Sequence, residues 1–148
     1  MLTNILAELF ERDFSKLKNE LTSYKNEANI WKTAGQVSNS AGNLTLHICG
    51  SLKHFIGAVL GNSGYVRDRE KEFKGEPVEL KYLLQNIDET IDTIKNTLSK
   101  INTADLEKAF PANVFNGEKT TEFFLVHLVS HVNYHLGQVN YHRRLIEG

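Results

Sequence analysis

The sequence predicts an all-α protein, a four-helix bundle with one long connection between its second and third helices. Apolar residues recur in alternating steps of four and three, the period of a helix with one buried face. Clusters of capping and turn residues divide the chain into four such segments. At 148 residues and 41% hydrophobic content, the chain is long enough to bury a substantial core, and a single domain over residues 1–148 is expected.

Helix one starts near Thr3 and follows Phe10, Phe14, Leu17, Leu21, Tyr24 and Ala28, with Lys, Glu and Asn between them. "SNSAGN" at 38–43 then caps "LTLHICGSLKHFIGAVLG". This second helix has an inward seam of Leu44, His47, Ser51, His54 and Ala58, but Leu46, Ile48, Leu52, Phe55 and Val59 make it apolar on much of its circumference. Such a helix is central or covered by another subunit, so a homodimer is one expectation. Residues 61–77, "GNSGYVRDREKEFKGEP", exceed what a helix–helix turn needs and read as a crossover or functional loop. Helix three is the most regular, with Leu80, Leu84, Ile87, Ile91, Ile94, Leu98 and Ile101 in seam and Pro77 at the first turn. Asn116-Gly117 in the next connection is a tight-turn dipeptide suited to a small hairpin. Helix four runs from about Thr120 to Ile146, with Phe124, Leu128, His131, His135, Gln138, His142 and Leu145 sharing a face.

Charge and composition narrow the partners. Lysine and arginine (17) balance aspartate and glutamate (18), and the basic residues are scattered, so no footprint for nucleic acid is visible. The N-terminal "MLTNILAELFERD" lacks the basic flank and apolar run of a secretory signal, and nothing approaches the roughly 18 apolar residues that span a bilayer. A soluble, cytoplasmic protein without membrane contact is expected. The one cysteine, Cys49, makes no internal disulfide and reads as a small core residue, so any metal must be held by histidine and oxygen.

Six histidines are present, and three of them, His127, His131 and His135, fall four apart in "HLVSHVNYH". Four residues return a side chain to nearly the same face about 6 Å along the axis, so adjacent members can converge on one ion. His131 and His135 occupy seam positions where the other helices carry leucine and isoleucine, and buried without a partner they leave ring nitrogens unsatisfied. A third ligand must come from another helix, where His47 and His54 are both inward. These two lie about 10 Å apart along the axis, so one ion takes only one of them. Taken singly, His54, His127 and His142 read as packing residues.

"NLTLHICG", the Arg/Asp/Glu-rich loop and the late "HLVSHVNYHLGQ" together resemble the DinB/YfiT-like superfamily of metal-binding four-helix bundles, in the subgroup with a charged loop after helix two. The resemblance covers essentially the whole chain. It implies a divalent metal, zinc or nickel, held by His47, His131 and His135, and leaves His54 and His127 behind or beside the ligands. Asn43, one turn before His47, and Gln138, one turn beyond His135, stand where they can contact a ligand or substrate. Arg67 and Arg69 are candidates for clamping an anionic substrate group, against the plainer reading of an ion-pair network. Trp31 and Tyr134 are candidates for lining a pocket.

Three neutral imidazoles leave an ion its full charge and an open position, the ligand set of catalytic sites. The expectation is a metal-dependent enzyme acting on a small molecule. The resemblance implies thiol S-transferase chemistry with a low-molecular-weight thiol, or hydrolysis. The alternatives are a non-enzymatic, stress-related metal-binding bundle and a metal-free interaction protein.

Overall fold

Leu6, Phe10, Phe14, Leu17 and Leu21 fall on one face of α1 (Leu2–Thr22), and all are buried. The computed structural model describes residues 1–148. α1 ends short of Ala28, and the chain turns into a 3-10 segment, Glu27–Trp31, that carries Ile30 into the core. α2 (Ala41–Leu52) begins where the Ser40 hydroxyl accepts the amide of Asn43, satisfying one of the open amides of its first turn. Nearly every residue of α2 is buried, because α3, α4, α6 and the 3-10 segment all pack on it. Its apolar circumference is therefore covered within this chain.

From Lys53 to Leu60 the helix continues in π form. A wider turn breaks the phase that spacing alone projects from His47. His54 lies beside Phe55, with ring centroids 4.8 Å apart. The long connection contains α3 (Arg69–Lys74), opened by Asp68, whose carboxylate accepts the amide of Lys71. α4 (Leu80–Leu98) starts after Pro77, which stands ahead of the helix. Its most buried line is Leu83, Ile87, Thr90, Ile94, Thr97 and Leu98, rotated slightly from the expected seam so that Leu84 and Ile91 pack at the margin.

α5 (Thr103–Glu107) is a single turn fixed by a reciprocal cap between Asn102 and Asp105. No hairpin forms at Asn116-Gly117. One antiparallel bridge, Ala109 to Thr120, closes the loop instead, and Gly117 adopts a φ of 115° within it. α6 (Thr121–Glu147) is capped by Thr120. Its buried line runs through Leu125, Leu128, Val132, Leu136, Val139 and His142, which leaves His131 and His135 half-buried at the edge of the core and Leu145 71% exposed.

The four long helices form a bundle in which α1 and α2 are each flanked by α4 and α6. The 25-residue core lies between them. No helix is long and apolar enough to cross a membrane.

Candidate metal centre

His47 projects from α2 and His131 and His135 from α6, two helices in direct contact. One turn separates the pair on α6, so both rings lean toward α2, and the His47 ring meets each edge-on at centroid distances of 5.2 and 5.1 Å. One nitrogen from each of the three lies within 4.8 Å of the others. The closest pair, His131 Nε2 and His135 Nε2, are 3.0 Å apart.

Hydrogen bonds on the far side of two rings decide which nitrogens are available. His135 Nδ1 lies 2.6 Å from Gln138 Oε1, an amide oxygen that only accepts. His135 therefore carries its proton on Nδ1 and presents a lone pair at Nε2. His47 Nδ1 lies 3.1 Å from Glu72 Oε1, and donation to that carboxylate frees His47 Nε2 in the same way. Arg67 Nη2 also stands 3.3 Å from His47 Nδ1. A protonated Nδ1 accepts nothing, so this approach reflects two donors converging on one carboxylate. Arg67 binds that carboxylate through both Nε and Nη2, each at 2.9 Å.

Glu72 is thus buried with a bidentate guanidinium and an imidazole N–H. Burial alone pushes its carboxyl upward, but the bonds from His47 and Arg67 outweigh this and hold it below the usual range. Gly50 makes room for it, since a Cβ on Gly50 would collide with Glu72 Oε2. Asn43 donates from Nδ2 to the Glu72 carbonyl at 3.0 Å, while its Oδ1 accepts from the Ser40 hydroxyl at 2.7 Å. Phe73 covers the His47 ring at a centroid distance of 4.8 Å, and Arg69 lies over Phe73 at 5.2 Å.

Burial and the neighbouring imidazoles push His131 down to about 4. Burial also lowers His135, against the opposing bond to Gln138. Imidazoles that resist protonation are free to act as ligands at neutral pH.

The other candidates are placed elsewhere. His142 accepts from the Tyr24 hydroxyl at Nδ1 (2.6 Å) and donates from Nε2 to the Lys32 carbonyl (2.7 Å), so both nitrogens are occupied. His127 stacks near His131 at 6.2 Å and meets Phe115 edge-on at 4.9 Å, outside the cluster. His54 also lies outside it. Trp31 covers Gly42, where a Cβ would come within 2.6 Å of its ring. Tyr134 is 65% exposed, its ring 5.4 Å from that of His135. Cys49 is wholly buried in the core, which raises its thiol to about 12. The residue that sequence reasoning missed is Glu72, an acid in "RDREKEF" that no spacing or residue type distinguishes from its charged neighbours.

The fit to a cation follows from this donor set. Three nitrogens lie within 4.8 Å of one another, close to the spacing that metal–nitrogen bonds of about 2.0–2.1 Å require. Two of the three rings are locked with Nε2 inward, and the third is neutral rather than imidazolium at neutral pH. The three histidines can therefore hold a metal ion.

Comparison with known proteins agrees with the helical architecture. No match was found among curated proteins. A crystal structure titled as the conserved protein of locus from Enterococcus faecalis shares the fold, with a TM-score of 0.84 over 100% of this chain and 98% of that one, at 18% identity. Residues 9–139 match the family described as the DinB superfamily, a span that contains all three clustered histidines together with Glu72 and Gln138. With the fold and the matched span in agreement, the chain belongs to the DinB superfamily.

Proposed function

We propose that this protein is a metal-dependent enzyme in which a divalent ion, zinc or nickel, is held by His47, His131 and His135 and takes a substrate group in its remaining position. The observation that carries the reading is the pair of fixed tautomers. Glu72 and Gln138 each occupy an Nδ1 and leave Nε2 facing the cluster, the arrangement by which proteins orient metal-ligating histidines. Bound there, the ion would supply a positive centre that favours thiolate over thiol, or hydroxide over water.

Thiol S-transfer is the reaction class favoured here, with hydrolysis as the second member of the same chemistry. Arg67 serves the protein, because its guanidinium is committed to Glu72. Arg69 is exposed and stacked on Phe73, which leaves it as the cation able to meet a carboxylate of a low-molecular-weight thiol. Phe73 shields the His47 ring from water on that side.

The test is elemental analysis of untagged protein, followed by cobalt substitution and thiol titration. One divalent metal per chain and a sulfur-to-cobalt charge-transfer band on adding bacillithiol, glutathione or cysteine are expected. Stoichiometric cobalt with a spectrum indifferent to all three thiols would remove thiol transfer and leave hydrolysis in first place.

A further inference from the structure

A groove of about 290 Å³ opens beside Gln138, between the loop that leads into α2 and the last turns of α6. Its walls come from Gln36, Ser38 and Asn39 on the loop and from Gln138 and Tyr141 on α6, with Leu44 at the base. Two observations connect it to the metal centre. Leu44 lies one turn before His47 on α2. Gln138 gives its carbonyl oxygen to His135 Nδ1, so its NH₂ group remains to donate elsewhere.

The chemistry of the lining is consistent. No lysine, arginine, aspartate or glutamate contributes to it, and the one histidine present, His142, has both nitrogens occupied within the protein. The remaining polar groups are the amides of Gln36, Asn39 and Gln138 and the hydroxyls of Ser38 and Tyr141. Val37, Tyr141 and Leu145 form an apolar rim and are 40%, 64% and 71% exposed. The guanidinium of Arg144 lies over the Tyr141 ring at 5.2 Å without joining the lining. A carboxylate or phosphate placed in such a groove loses hydration and gains no counter-charge, whereas a neutral amide finds donors and acceptors with apolar flanks.

We propose that this groove binds an uncharged, amide-bearing arm of the substrate, and that Gln138 joins the groove to the metal centre. The inference rests on the metal site described above. The groove and the metal centre share Gln138, which places the arm beside His135, while Arg69 and Phe73 stand beside His47. A molecule spanning the site would therefore be neutral at one end.

Hydroxamic acids test this on cobalt-loaded protein, because the hydroxamate head engages the metal and the tail is free to vary. Acetohydroxamate serves as the parent, and tethers of graded length carry either a terminal acetamido group or an isosteric alkyl group. Binding is read from the cobalt visible spectrum. At one tether length the acetamido compound should bind about three- to tenfold tighter than its alkyl isostere, the gain of one neutral hydrogen bond, and the preference should collapse in Asn39→Ala. Val37→Lys, on an exposed loop position, should confer a new preference for a carboxylate tail over that shown by the unsubstituted protein. Parent binding with no acetamido preference at any length would overturn the groove assignment and leave the metal site standing. Failure of every hydroxamate, parent included, to alter the cobalt spectrum would overturn both.

Discussion

His47 Nδ1 and Glu72 Oε1 stand 3.1 Å apart, and through this contact a charged side chain from the connection between α2 and α4 sets the direction of an imidazole on α2. The relation is strong because Arg67 fixes the other side of the carboxylate. Glu72→Gln keeps the shape but lets the amide present either an oxygen or an NH₂ to His47. Metal affinity should fall about 10- to 100-fold, as for other residues that orient a metal-binding histidine. Competition with a chromophoric chelator measures this, and affinity equal to wild type would dismiss the orienting role.

His142→Ala should damage stability and spare the metal. The substitution strands the Tyr24 hydroxyl and the Lys32 carbonyl, both of which depend on that ring. The cost should be about 2–5 kcal/mol, from two partners lost at a buried site. Urea denaturation reads the loss, and elemental analysis should still find one metal per chain.

Chelation should leave a folded bundle. The apolar core draws on every long helix, and of the three clustered histidines only His47 is fully buried. Far-ultraviolet circular dichroism should stay helical, while the melting midpoint drops by the mass-action contribution of a ligand bound only to the native state. Loss of helicity on chelation at room temperature would make the ion a structural element instead.

The metal-free protein should weaken on mild acidification. His131 titrates near 4 in the folded chain against 6.5 in the unfolded one, so between those values the unfolded state holds the extra proton. Stability is therefore fully present above about pH 6.5, declines as the pH falls toward about 4, and changes no further from this source below it. His135 acts in the same direction. Melting midpoints of chelated protein across this range should fall more steeply than those of chelated His131→Gln.

The fold was legible because its signal is repetitive. Phe10, Phe14, Leu17 and Leu21 state the face of α1 several times over, and tertiary packing only trimmed the ends, replacing the stretch around Ala28 with a 3-10 turn. The i, i+4 relation of His131 and His135 is local, and their convergence needs nothing beyond helix geometry. His54 was harder, since a π segment changes the phase after Leu52 and leaves no mark in residue type. Glu72 was illegible for a different reason. It sits in a connection without periodicity, and its inward direction depends on how α3 docks on α2, which in turn depends on a missing side chain at Gly50.

That missing side chain also sets a trap for protein engineers. Gly50 lies inside a helix, where alanine is favoured by roughly 1 kcal/mol on propensity alone, so a stability-driven redesign would replace it early. The added methyl would fall on the carboxylate of Glu72. A variant chosen for a higher melting temperature would then keep its helices and its three histidines while losing the support that aims one of them, and a screen for thermal tolerance alone would score that loss as progress.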